Sequence, residues 1–314
     1  MNDLVGRGVS WVRRRLPPAR FGMKLHAATP ALRNLVDLDS GLERLKSGFG
    51  FLEGPVWIAQ EAALLFSDIP GDRIFRWTPS GLRVFRQPSR NANGLTRDGS
   101  GRLLACEHGA RRVTRTEPDG SLTVLADRYA GQPLNSPNDL VEGPSGAIYF
   151  TDPPYGIRPS DQRQSCQGVY RIGAGAGEPE LLVADFDRPN GLAFSPDQRR
   201  LYVADSSARR HLRAFKVDEA GNLSEGRVFL DMSSAPPGVP DGLKVDQAGN
   251  LYCTGPLGIW VIDPNGTHLG TIALPEEPAN CGWGDADWCS LFITAGTGLY
   301  RLRTRIPGVP VGPP

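Results

Sequence analysis

The sequence predicts an all-β fold, a six-bladed β-propeller whose last blade is closed by an N-terminal strand. Three observations lead there. The 38 glycines and 28 prolines of the 314-residue chain are spread along its length rather than gathered in a linker, so turns recur throughout. A tripeptide opening on a polar residue recurs six times, at spacings of 39 to 52 residues. Between its copies lie short runs rich in β-branched and aromatic residues, and none carries a convincing helical period. Repeats of about 40 to 50 residues holding three or four antiparallel strands are propeller blades.

Each blade is legible in three parts. The opening segments are Glu53-Gly54-Pro55, Asn93-Gly94-Leu95, Asn138-Asp139-Leu140, Asn190-Gly191-Leu192, Asp241-Gly242-Leu243 and Asn280-Cys281-Gly282. Second strands follow at Leu64 to Asp68, Leu103 to Glu107, Ile148 to Asp152, Leu201 to Asp205, Leu251 to Gly255 and Leu291 to Ala295. Third strands start near Arg73, Arg112, Gly168, Leu212, Gly258 and Gly298, and turns such as Pro118-Asp119-Gly120 join the runs. The first unit begins near Phe49, and the sixth ends near Arg303 with room for only its inner three strands. Its fourth strand must come from elsewhere, and Leu42 to Lys46 is the natural candidate. Joining the chain ends in this way removes open sheet edges. The expected organisation is an N-terminal extension (1–40), a propeller (41–305) and a C-terminal tail (306–314).

Composition excludes several function classes. With 35 Lys and Arg against 34 Asp and Glu, the net charge of +1 argues against a nucleic-acid-binding surface, which needs a basic excess. No apolar run approaches the roughly 18 to 20 residues of a membrane helix, and the first residues lack the apolar core of a signal peptide, so the expected location is the cytoplasm. A closed propeller demands no partner edge, and a monomer is expected. The extension carries Arg7, Arg13, Arg14, Arg15, Arg20, Lys24 and Arg33, with Trp11 and Val12 among them. It reads either as a contact for an anionic membrane or partner or, preferably, as a segment packed outside the propeller or frayed. Cys106, Cys166, Cys253, Cys281 and Cys289 include no C-x-x-C pair, so buried free thiols are expected, with a Cys281–Cys289 bridge left open.

The first strand of every blade lines the central channel, so the equivalent residues Glu53, Asn93, Asn138, Asn190, Asp241 and Asn280 converge on the axis. Two carboxylates and four amides facing one another must be satisfied by something. A cation does this well: the donors are hard oxygens, and His and Cys are absent from the ring. Ca²⁺ is the first choice, because two carboxylates balance its charge while neutral oxygens and water complete its shell. Mg²⁺, Mn²⁺ and Zn²⁺ are the alternatives. The competing reading makes these residues ordinary Asn-Gly and Asp-Gly turns, which leaves Glu53 unexplained. A second layer, Asp68, Glu107, Asp152 and Asp205, ends the second strands and either orients the ring and its substrate or caps turns. Lys244, three residues after Asp241, has the opposite strand parity and is expected to face away from the channel.

At these residues the chain resembles the gluconolactonase, regucalcin and luciferin-regenerating-enzyme family of six-bladed propellers, and most of all its bacterial gluconolactonase branch. The resemblance covers about residues 45 to 303. Its carrying motifs are Glu53-Gly54-Pro55-Val56-Trp57, the stretch His108 to Gly156, Pro189-Asn190-Gly191-Leu192 and Pro240-Asp241-Gly242-Leu243. The resemblance implies a divalent metal, usually Ca²⁺, held by Glu53, Asn190 and Asp241 with Asn138 beside it, and a sugar lactone as substrate. Asn138, Asn93, His108 and Tyr155 are the implied substrate contacts. In regucalcin-like members an arginine two residues before the equivalent of Asn138 meets the sugar, and here that position is Ser136.

The implied chemistry is hydrolysis of lactones such as D-glucono-1,5-lactone, the metal polarising the carbonyl and activating water. Asp241 is the implied catalytic carboxylate, taking or orienting the water proton, whereas Glu53 is a ligand only. Two other readings stand beside it: a metal-dependent organophosphorus ester hydrolase using the same ring, and a non-catalytic propeller scaffold. No phosphate-binding glycine loop and no G-x-S-x-G elbow is present.

Overall fold

Alternating runs such as Arg73–Thr78 and Leu201–Asp205 bury one face or both, and aspartates cap several of the tight turns between strands. Asp98 accepts the amides of Ser100 and Arg102, Asp246 those of Ala248 and Asn250, and Asp263 those of Asn265 and Thr267. The result is six antiparallel sheets around a channel, a six-bladed β-propeller. The structure, a computed structural model, describes residues 19–313.

Blade 1 comprises Leu52–Ile58, Ala63–Asp68, Arg73–Thr78 and Gly81–Arg86. Blade 2 comprises Ala92–Arg97, Leu103–Glu107, Arg112–Thr116 and Leu122–Ala126, and blade 3 Leu140–Glu142, Ile148–Thr151, Gln167–Ile172 and Glu180–Phe186. Blade 4 runs through Pro189–Phe194, Arg200–Asp205, His211–Val217 and Leu223–Asp231. Blade 5 holds Leu243–Val245, Leu251–Gly255, Gly258–Ile262 and His268–Ala273. Blade 6 takes Pro278–Gly284, Ser290–Ala295 and Gly298–Arg303 from the end of the chain and Leu42–Ser47 from its beginning.

That closing strand pairs antiparallel with Gly298–Arg303, Arg301 opposite Glu43. Glu43 is buried, but the Arg301 and Arg20 guanidiniums at 2.6 and 2.7 Å overcome the upward push of burial and hold its carboxyl below the usual range. Between blades the core is aromatic. Tyr149 meets Phe194 edge-on at 5.0 Å, Tyr252 meets Trp283 at 4.8 Å, and Trp57 stacks on Phe292 at 5.5 Å, fastening blades 3 to 4, 5 to 6 and 6 to 1.

Residues 19–40 lie on the outside. Ala19–Phe21 adds a fifth strand to blade 6, Leu25–His26 adds one to blade 5, and the short helix Pro30–Leu35 buries Leu32 in the core between those two blades. The arginines at 7 and 13–15, with Trp11 and Val12, lie outside the described residues. The tail crosses the opposite end of the channel from the hub ring: Val309 donates to the Val245 carbonyl, and the Pro313 carbonyl accepts from Gln60 and Arg97. All five cysteines are free, so Cys281 and Cys289 do not pair. Among the described residues, no helix is long and apolar enough to cross a membrane.

Candidate active site at the hub of the propeller

The hub is built by a local irregularity repeated around the ring. In blade 3 the Asn138 amide donates to the Thr151 carbonyl while the Thr151 amide donates to Asp139, so two residues oppose one. Blade 5 does the same, with Asp241 and Gly242 both facing Thr254. The first strands of blades 1, 2, 4 and 6 shift register at the equivalent point. These are β-bulges, and each turns its polar residue into the channel.

The glycine after the ring residue is a packing requirement rather than a turn signal. A Cβ on Gly242 would lie 2.2 Å from the Asn280 side chain, and one on Gly54, at φ +51°, would lie 2.3 Å from the Asn93 carbonyl. Neighbouring inner strands approach that closely because Gly242 donates to the Ala279 carbonyl at 2.8 Å and Gly94 to that of Asn138 at 2.9 Å. Asn93-Gly94 and Asn190-Gly191 therefore sit inside bulged strands and Asp241-Gly242 at the bulge that leads into one, and the turn reading fails at those positions.

Glu53, Asn93, Asn138, Asn190 and Asn280 are all buried at the ring, and Asp241 is partly open to the mouth. The Glu53 carboxylate accepts from the Gly54 amide at 2.8 Å and from Asn280 Nδ2 at 2.9 Å. Burial, then the charge of Asp139, still push it up to about 7. Asp241 is raised well above the usual carboxylate range by burial and then by Glu53 and Asp139, against a hydrogen bond from Asn190. Asn190 Nδ2 also donates to Ser206 Oγ at 2.9 Å. Among the described residues nothing hydrogen-bonds the side-chain amide of Asn138.

The remaining candidates gather at the mouth. Asn93 Nδ2 lies 3.1 Å from His108 Nε2, and an amide nitrogen can only donate, so the imidazole accepts there. Burial lowers His108 to about 4 and keeps the ring neutral. Tyr155 is half-buried beside Asn190 and Ser206, its phenol pushed up by burial and then by the charge of Asp241.

Two expectations need correction. Lys244 does not turn away from the channel: its Nζ lies 3.8 Å from Asp139 Oδ2, because the bulge at Asp241 and Gly242 reverses the strand parity that a regular strand would give. Of the acids ending the second strands, Asp68, Asp152 and Asp205 serve the backbone. Each accepts the amides of the residues three and two positions before a ring residue: Gly50 and Phe51, Asn135 and Ser136, Asp187 and Arg188. Glu107 instead pairs with Arg112 at 2.7 Å.

Sequence reasoning missed Asp139, a third carboxylate at the hub, which accepts from Asn280 Nδ2 at 3.3 Å. It occupies the position glycine holds in four other blades, and that substitution was its signal. It also missed hydroxyls that tie blade to blade: Ser67 donates to the Asn93 carbonyl and Thr151 to that of Asn190, both at 2.8 Å.

The donor set at the mouth suits a hard divalent cation: two elevated carboxylates, Glu53 buried and Asp241 partly open, and a ring of amide oxygens, one amide free of any partner. Among the described residues no three His, Cys, Asp or Glu side chains are grouped to hold a metal, so any ion at the hub would lean on amide oxygens as well as carboxylates. The polar, bulge-built hub sets the channel mouth of this propeller apart from the apolar contacts between its blades.

The chain belongs to the SMP-30/Gluconolactonase/LRE-like family, whose sequence model matches residues 51–297. It is 34% identical over 313 residues to a gluconolactonase of Zymomonas mobilis, covering 91% of this chain and 87% of that one. It is 31% identical over 251 residues to a pentonolactonase of Haloferax volcanii, covering 78% and 81%. A solved gluconolactonase structure from Xanthomonas campestris superposes with a TM-score of 0.84 at 36% identity, covering 93% of this chain and 99% of that one.

Proposed function

We propose that the protein hydrolyses sugar lactones such as D-glucono-1,5-lactone at the hub and depends on a divalent cation, Ca²⁺ in first place. The observation that carries this reading is the placing of Glu53 and Asp241, carboxylates raised first by burial and then by neighbouring charge (Asp139 for Glu53, Glu53 and Asp139 for Asp241), with the amides of Asn190 and Asn138. Membership of a family that includes relatives named gluconolactonase and pentonolactonase supports it. Glu53, Asn190, Asp241 and Asn138 would hold the ion, which would supply positive charge to polarise a lactone carbonyl and acidify water.

The chain's own residues do the rest. Asp241, the ring carboxylate open to the mouth, takes the proton as the water oxygen bonds to the carbonyl carbon. The acyl–oxygen bond of the ring then breaks, and the departing oxygen takes back the proton that Asp241 accepted, giving the open hydroxy acid and regenerating the carboxylate. Asn138 and Asn93 orient sugar hydroxyls, neutral His108 fixes the Asn93 amide, and Tyr155 walls the mouth beside Asn190. Proton release from D-glucono-1,5-lactone, corrected for spontaneous opening, tests this with chelator-treated protein titrated with Ca²⁺, Mg²⁺, Mn²⁺ and Zn²⁺. Activity restored by metal is expected, with Ca²⁺ ranked first; folded protein silent with every metal would overturn the reading.

A further inference from the structure

The residues two positions before each ring residue form a second, outer ring around the mouth: Phe51, Asn91, Ser136, Arg188, Val239 and Pro278. Their side chains have different fates. Ser136 is fully buried, its Oγ without a hydrogen-bond partner, and the buried Pro278 has no side-chain donor. Asn91 spends its amide on the Ile69 carbonyl at 2.8 Å. Phe51, Arg188 and Val239 are exposed, and of the three only Arg188 offers hydrogen-bond donors.

The backbone of Arg188 is fixed. Its amide donates to Asp205 at 3.1 Å and its carbonyl accepts from Ser206. The guanidinium lies over the Tyr155 ring, 5.9 Å from its centroid, which orders the side chain toward the wall beside Asn190 and Asp241. Among the described residues it makes no hydrogen bond or ion pair. Its neighbours on this face are largely held by the backbone: Arg209 donates to the Asp185 carbonyl, Arg210 to carbonyls of the 233–236 loop, and Arg111 to Leu134, Asn135 and Asp161, with the buried Arg111 Nη2 and Arg210 Nε left over. An ordered guanidinium with unspent N–H groups beside a hydrolytic centre is suited to oxygen-rich substituents.

We infer that Arg188 is a specificity-determining residue: supported on Tyr155, it binds the hydroxyl oxygens of a polyhydroxylated lactone and makes the enzyme favour such lactones over unsubstituted ones. This rests on the lactone-hydrolase reading above. The exposed Phe51 and Val239 supply apolar surface on other sides of the mouth, against which the C–H face of a sugar ring can rest.

The test compares D-glucono-1,5-lactone with δ-valerolactone, which has the same ester ring and no hydroxyls, using metal-loaded wild type, Arg188→Ala and Arg188→Lys. Arg188→Ala is expected to lose about 10-fold to 30-fold in kcat/KM on the sugar lactone, mainly through KM, as follows from losing charge-assisted hydrogen bonds at an exposed site. Its rate on δ-valerolactone should stay within about twofold of wild type, the range expected where no hydroxyl contact is lost, which also shows that the variant folds. Arg188→Lys should recover part of the loss. Equal losses on both lactones, or no loss on the sugar lactone, would overturn the inference and leave the hydrolase reading standing. Wild type inactive on both would overturn the reading itself and this inference with it.

Discussion

Each inner strand presents two side chains to the same channel, three residues apart, and the two ends of the channel are built on opposite rules. At the mouth the ring is Glu53, Asn93, Asn138, Asn190, Asp241 and Asn280. Three residues further along stand Val56, Thr96, Val141, Ala193, Lys244 and Trp283, which line a chamber of about 160 Å³ under Val309–Gly312 of the tail. The lower ring packs as a core packs, with one charge, which is near Asp139. The upper ring crowds carboxylates that burial and repulsion both raise, an arrangement that costs folding free energy. A fold that tolerates this at one end while packing the other conventionally marks the costly end as the place for the proposed hydrolysis.

The sharpest break of that contrast is Asp241→Asn. It keeps shape and removes the acceptor charge, so kcat/KM on D-glucono-1,5-lactone should fall by about 10³-fold, the scale of losing a general base together with a charge at the metal. The melting temperature of metal-free protein should hold or rise, because a repelled buried carboxyl has been neutralised. Near-wild-type hydrolysis would remove Asp241 from the mechanism.

The lower end breaks differently. Lys244→Met leaves Asp139 buried without its nearby ammonium and should destabilise the fold by about 1–2 kcal/mol in urea unfolding; that is below the full cost of breaking a buried pair, because the lysine is partly exposed and 3.8 Å away. Adding Asp139→Asn should recover most of the loss. Strictly additive effects would show that Lys244 and Asp139 are independent, and that the lower ring has no electrical link to the upper one.

Much of this was legible in sequence, and what was not has one cause. The six polar ring residues, the blade count and the closing strand all follow from a repeat visible in one-letter code. Lys244 was misplaced because strand parity presumes a regular ladder, and the bulge at the ring breaks it. Asp139 hid for the same reason: where two residues oppose one, both can turn toward the hub. The duty of Asp68, Asp152 and Asp205 could not be read either, since accepting two backbone amides leaves no trace in residue type. Ser136 and Arg188 share a register position, and residue type does not show that the first is enclosed and the second exposed.

The smallest expected effect concerns the rim and separates it from the hub by protonation. Burial lowers His108 from its ordinary 6.5 to about 4, the opposite direction from the ring carboxylates. A histidine depressed in the folded state favours folding when neutral, so its contribution is complete above the unfolded value and is lost as pH falls from about 6.5 toward 4. Across the neutral range the ring therefore stays an acceptor, holding Asn93 Nδ2 and leaving Oδ1 of that amide for the mouth. An NMR titration of the His108 ring protons should show a midpoint near 4, and the pH–rate profile between 6 and 8 should be unchanged in His108→Asn while KM rises about threefold, the scale of one weakened hydrogen bond. A midpoint between 6 and 7 would mean that the imidazole takes up a proton under working conditions, reversing its hydrogen bond to Asn93 and making the rim, like the hub, a titrating part of the site.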